Sequence, residues 1–175
     1  MSAATMDFED ALLAGELPTA VSDCLEEAGR LRSAQPERAH RLLLKAQRMA
    51  PRHPAPLIAL YRFYFYGHQL ERARFVAEDA LRLGAQWLGL PEYWQDVPAR
   101  AFADTRFDPV ARFYLFALKG YAYLSLRLDE IETAEPALQL LAALDPQDGV
   151  GAGLLRQVLA RRGSEQDEEA AELPA

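Results

Sequence analysis

The residues of this chain with some capacity for chemistry are three histidines, one cysteine, a glycine-spaced loop and a run of acids. A helical metal site needs two imidazoles four residues apart, so that both reach one ion from the same face. His40, His53 and His68 lack that spacing, and no carboxylate or thiol clusters with them. Cys24 is the single cysteine. It can form neither an intramolecular disulfide nor a multi-cysteine metal site. With no histidine near it in sequence, it reads as a small buried hydrophobe rather than a nucleophile. Gly149, Gly151 and Gly153 make GVGAG, but a phosphate loop follows a strand and ends in a lysine and a hydroxyl residue. Neither is present. Asp129, Glu130, Glu132 and Glu135 crowd a turn and a helix start, where the positive end of a helix dipole favours them. No acid, base, nucleophile or cofactor-binding set converges. No catalytic, cofactor-binding or metal residue is expected, and the chain reads as a non-enzyme.

The recognition chemistry is richer. In LYRFYFY, Leu60–Tyr66, five of seven residues are aromatic. On a helix such a run points rings in all directions. A chain of 175 residues, half of them hydrophobic, is the size of one ordinary domain. β-Branched residues are scarce and Ala, Leu and Arg abundant, which favours helices. The elements that position the aromatic run are legible through an internal repeat. PERAHRLLLKAQRMAP (Pro36 to Pro51) and LERARFVAEDALRLGA (Leu70 to Ala85) superimpose with a shift of 34 residues. Ala39 falls on Ala73, Leu43 on Ala77, and Ala46 on Ala80. Small residues at these spacings let two helices approach closely, and Pro51 ends its helix because it supplies no backbone donor.

This period and these residues resemble the tetratricopeptide repeat. Ala39, Leu43, Ala46 and Pro51 follow that family's second-helix spacing, and Leu57, Leu60 and Tyr64 fall at its first-helix packing positions. Tyr61 departs from it, standing where the family often has a small residue. A third unit reads Leu118 to Pro146, with Gly120 and Tyr123 matched to the first helix and Ala134, Leu138, Leu144 and Pro146 to the second. It is about two residues too long between Gly120 and Pro146, so its register slips near Asp129. The resemblance implies an all-α superhelix of antiparallel helix pairs, about three repeats with capping helices. The expected organisation is an N-terminal segment over 1–18 with a short helix at Met6–Ala14, then a helical domain over 19–162, then a disordered acidic tail over 163–175. An irregular insertion, 87–107, interrupts the domain. In it Pro91 starts a short helix through Gln95, and Asp108-Pro109 starts the next long one. A last helix covers about Gly149 to Arg162.

The resemblance also implies an inner groove for a protein segment, faced by Ile58, Arg62, Phe65 and Tyr66 and, from the third unit, by Tyr114 and Tyr121. Tyrosine and arginine are the residue types enriched at binding hot spots. The alternative is that the insertion, with Trp87, Tyr93, Trp94 and Phe102, folds back and buries these rings as core. The groove positions hold Cys24, Ala28, Ile58 and Arg62 where carboxylate-gripping members of the family carry Lys and Asn, so a more apolar ligand is expected. Arg38, Arg41, Lys45, Arg48 and Arg52 form a basic stripe that reads as a solvated face or a dock for an acidic partner. The expected function is that of an adaptor or assembly factor in a bacterial cytoplasm. A structural or homodimeric subunit using the insertion around Trp94 is a second reading. A third is an accessory protein of a multi-subunit metalloenzyme, because ALYRFYFYGHQL is similar to small tetratricopeptide-like proteins of bacterial nitrogen-fixation gene clusters. A net charge of −7 argues against nucleic acid as partner. The absence of a long apolar run argues against a membrane span.

Overall fold

The structure, a computed structural model, describes residues 16–102 and 108–161, and among these it is all helical. The helices are α1 (Thr19–Leu31), α2 (Pro36–Met49), α3 (Pro54–Tyr66), α4 (Leu70–Leu88), α5 (Pro109–Arg127), α6 (Ile131–Leu144) and α7 (153–161), with a single 3-10 turn at Trp94–Asp96. The expected Met6–Ala14 helix and the tail beyond 163 lie outside the described residues.

Local chemistry sets the ends. Pro36, Pro54 and Pro109 each occupy a first turn, where a missing N–H costs nothing. Asp108 caps α5, its carboxylate accepting from the backbone N–H of Val110 at 2.7 Å and more weakly from Ala111 at 3.4 Å. His53 caps α3: its Nδ1 accepts the N–H of Ala55 at 3.1 Å. Pro91 does not start a helix. The short helical turn begins at Trp94 instead, because α4 runs on to Leu88 and closes with Gly89 at φ 64°.

From α1 to α6 consecutive helices pack on one another in chain order, with α2 and α3 sharing the sparsest contact among these pairs. Ala39, Ala46, Ala73, Ala80 and Ala134 are all completely buried. Two aromatic rings are seated on bare helix backbone. A Cβ at Gly120 would lie 3.1 Å from the Tyr61 hydroxyl, and one at Gly84 would lie 3.2 Å from the Tyr114 ring. Tyr61 therefore occupies a small-residue position because the neighbouring helix supplies the space. The main core runs from Ala28 of α1 through α6, while Val21, Cys24 and Ala46 form a small separate cluster between α1 and α2.

The insertion folds back. Trp94 and Phe102 are 5 % and 3 % exposed. Trp94 lies 5.7 Å from Tyr121, and Phe102 lies edge-on to Tyr114 at 5.7 Å. Trp87 packs on Phe113, and Tyr93 stays half exposed. Truncating a buried tryptophan removes transfer energy and leaves a cavity. Trp94→Ala should cost about 3–5 kcal/mol in urea denaturation, and Tyr93→Ala less than about 0.5 kcal/mol.

Candidate functional site

The turn backbones fix the register of the third pair. At the α3–α4 turn, Gly67, His68 and Gln69 donate to the carbonyls of Phe63, Phe65 and Tyr64. At the α5–α6 turn, Leu128, Asp129 and Glu130 donate to those of Leu124, Leu126 and Ser125. The two patterns are the same, and His68 and Asp129 share a left-handed conformation at φ 56° and 62°. Ser125 is thus the counterpart of Tyr64, and Ala134 of Ala73, 61 residues on. The match of Gly120 and Tyr123 to the first helix was two residues early. Correctly aligned, Ile58, Arg62, Phe65 and Tyr66 correspond to Lys119, Tyr123, Leu126 and Arg127 on α5, and to Cys24, Ala28, Leu31 and Arg32 on α1.

That shift corrects two of the expected groove residues. Tyr114 is completely buried and Tyr121 nearly so; both are core, held against Phe102 and Trp94. Of the expected residues on α3, Ile58 is itself core, touching the surface only at the bottom of a crevice, while Arg62, Phe65 and Tyr66 reach the surface on the side of α1 and α5. Phe65 stacks on Tyr61 at 5.9 Å and meets Tyr66 edge-on at 5.3 Å and Tyr123 at 6.0 Å. Tyr66 is 50 % exposed, with the Arg32 guanidinium 5.3 Å over its ring. Arg127 lies over Tyr123 at 5.8 Å and donates to its hydroxyl at 2.9 Å. The result is a strip, Arg32–Tyr66–Phe65–Tyr123–Arg127, aromatic in the middle and cationic at each end. Ile58 and Arg62 line a crevice of about 280 Å³ between α1 and α3 beside this strip, together with Leu25, Ala28, Gly29, Arg32 and Phe63. Tyr123, Arg127 and Arg32 were missed as site residues. The signal that finds them is the backbone of the Asp129 turn, which sequence spacing does not carry.

Other candidates resolve as structure. The GVGAG loop does present backbone N–H groups, but internal carboxylates occupy them. Asp145 accepts from Gly149 and Val150, and Asp148 from Ala152 and Gly153, at 2.6–3.1 Å. Lys119 bonds the Val150 carbonyl at 2.6 Å and ties α5 to the same loop. A second cavity, about 340 Å³ between Phe102, Leu115 and Leu144, borders the Asp145 turn. Among the described residues no group of histidines, thiols and carboxylates is placed to hold a metal ion, and no helix is long and apolar enough to cross a membrane. The stripe from Arg38 to Arg52 is exposed, and Arg38 is paired with Glu27 at 2.5 Å.

Against this geometry, comparison with known proteins gives one informative relative. Over 125 residues the chain is 41% identical to the protein of Azotobacter chroococcum mcd 1 named "Uncharacterized 19.8 kDa protein in nifW 5'region", a match covering 70% of each chain. The chain belongs to this family. No protein-family model matches it, and no solved structure does.

Beside the strip, His40 of α2 holds the outer side of α3. Its Nε2 is hydrogen-bonded to the Tyr64 hydroxyl at 2.6 Å, and its ring stacks on Phe63 at 5.5 Å. Burial, and then the nearby Arg72 guanidinium, hold the His40 pKa below its ordinary 6.5. Above 6.5 the imidazole is neutral in both folded and unfolded chains. Below it the unfolded chain takes the proton first, so stability falls as the pH drops toward the folded value. Thermal melts between about pH 7.5 and pH 5.5 should show this loss, and His40→Gln should flatten it.

Proposed function

We propose that the chain is a non-enzymatic adaptor or assembly factor, built as a tetratricopeptide-like array of antiparallel helix pairs, that holds a segment of a partner protein in a bacterial nitrogen-fixation system. The observation that carries this reading is the strip from Arg32 to Arg127. It joins Arg32, Tyr66, Phe65, Tyr123 and Arg127 from three helices of equivalent position, with Tyr66 half open to solvent and Phe65 and Tyr123 partly so, while the insertion covers Tyr114 and Tyr121. Exposed tyrosine flanked by arginine is the side-chain chemistry of interface hot spots, because both give large contact area together with directed polar contacts. The printed name of the relative supports the setting, since it locates that protein in a nif region. A cytoplasmic location suits such a role.

The reading of a homodimer formed through the insertion is weaker, because Trp94 and Phe102 are spent inside this chain. Among the described aromatic residues of that segment, Trp87 is partly buried and Tyr93 alone is exposed.

Affinity purification of the tagged chain from nitrogen-fixing cells tests the proposal. A protein encoded in the nif region should co-purify. Its recovery should drop roughly tenfold or more with the double variant Tyr66→Ala, Tyr123→Ala, and hold with Phe75→Ala, which alters an exposed ring on α4. Undiminished recovery with a double variant that keeps its thermal midpoint would overturn the assignment of the strip.

A further inference from the structure

The outer face of α2 and the turn after it concentrate one sign of charge. Arg41, Lys45, Arg48 and Arg52 are all exposed there, and no acid stands between Arg41 and Arg52 in the sequence. Met49, between Arg48 and Arg52, is 42 % exposed. Cations around an open apolar side chain complement an acidic segment with apolar residues of its own. At its head the stripe already meets an acid of the preceding helix, Arg38 pairing with Glu27 of α1 at 2.5 Å.

The sequence ahead of α1 supplies such a segment. Residues 1–15 contain Asp7, Glu9 and Asp10, no basic residue, and the apolar Phe8, Leu12 and Leu13. Near the start of the described chain, Leu17 packs on the small cluster of Val21, Cys24 and Ala46, where Ala50 also packs. Ala46 is within one helical turn of Lys45, Arg48 and Met49, so the chain enters beside the stripe. Asp7 stands ten residues before Leu17, an extended reach of roughly 33 Å. With 14 residues, α2 is only about 21 Å long.

We propose that residues 7–13 dock on this face of α2, with their carboxylates at Lys45, Arg48 and Arg52 and their apolar side chains on Met49. The stripe is then closed from within the chain rather than held open for an acidic partner. The acidic tail is the less suited occupant. Its acids, Glu165 to Glu172, follow α7. The loop leading into α7 is tied to α5 by Lys119, and α5 stands three helices on from α2 in packing order.

Zero-length cross-linking of the full chain with a water-soluble carbodiimide tests this, since it condenses an amine only with a carboxylate in contact. Lys45 and Lys119 are the only lysines, and the Lys119 amine is bonded to the Val150 carbonyl, so Lys45 is the amine that reports. In dilute solution at low salt, peptide mapping by mass spectrometry should find Lys45 joined to Asp7, Glu9 or Asp10 of the same chain. Raising the salt from about 0.01 M to about 1 M shortens the Debye length from roughly 30 Å to 3 Å and should cut that yield at least roughly threefold. Arg48→Gln combined with Arg52→Gln, both at exposed positions, should cut it comparably. Asp23→Lys controls for mere tethering. It places a second amine at an exposed position on α1, nearer the segment along the chain, and that amine should capture these acids at least roughly threefold less than Lys45 does. Equal capture by both amines, or a yield indifferent to salt, overturns the dock, as does the absence of any link from Lys45 to these three acids. Links from Lys45 chiefly to the acids of the tail give the stripe to the tail, and links chiefly between chains give it to a second copy. Either result overturns the N-terminal occupant.

Discussion

Close approach of helix backbones is the constraint on which the rest depends. Alanines at 39, 46, 73, 80 and 134 have no exposed surface, and a larger side chain at any of them would push two helices apart at a cost of about 1–3 kcal/mol. The same rule acts in reverse at Gly84 and Gly120. There the missing Cβ admits a tyrosine ring from another helix, Tyr114 of α5 at Gly84 and Tyr61 of α3 at Gly120. The hydroxyls of Tyr61 and Tyr114 have no hydrogen-bond partner among the described residues, and burial raises the pKa of both. The fold accepts two unsatisfied polar atoms in return for ring surface at its centre. This seating sets how α5 lies against α3 and α4, and so decides which α5 residues join the face that carries Phe65 and Tyr66.

The parts of this arrangement written in side-chain size were legible in the sequence. The alanine rows gave α2, α4 and α6. The Asp108-Pro109 start gave the beginning of α5, and Pro51 gave the end of α2. The parts set by backbone conformation or by tertiary space were not. Gly120 and Tyr123 imitate a family pattern two residues ahead of the true register, because Gly120 is glycine for another reason: it receives Tyr61. The left-handed turn at Asp129, which identifies Ser125 as the true counterpart of Tyr64, leaves only a weak compositional trace. Whether aromatic residues in a helix are core or surface cannot be read from type alone. Of the six expected groove residues, Arg62, Phe65 and Tyr66 reach the surface on one side, and Ile58 is core at the bottom of its crevice. Tyr114 and Tyr121 lie beneath the insertion, whose packing no periodic pattern announces.

Arginine and aromatic rings recur together throughout. Arg72 lies over Tyr64, Arg74 over Tyr121, and Arg112 over Phe116, each near 6 Å. Such contacts let an acidic chain carry many guanidinium groups without drawing each into an ion pair. They also hold long side chains in fixed directions at the helix surface, which lowers the entropy lost when those side chains meet a ligand. At Tyr64 and Tyr121 the rings are nearly buried and the contact is architectural. At Tyr66 the ring is open, and the same pairing becomes an accessible, pre-oriented surface.

The division of the core into two clusters has a mechanical meaning. Val21, Cys24 and Ala46 join α1 to α2 but do not belong to the larger cluster, and the α2–α3 seam is the thinnest in the array. Ala28, Ala39 and Leu43 of the first pair do belong to the larger cluster, so the pair is joined to the rest through these three residues and the thin α2–α3 seam, a joint able to open at a lower free energy than the remainder. Since the α1/α3 crevice straddles that joint, any molecule lodged in it acts as a brace. Part of its affinity would then be spent on stilling a hinge, so that occupancy at one end of the molecule is felt as rigidity along its length.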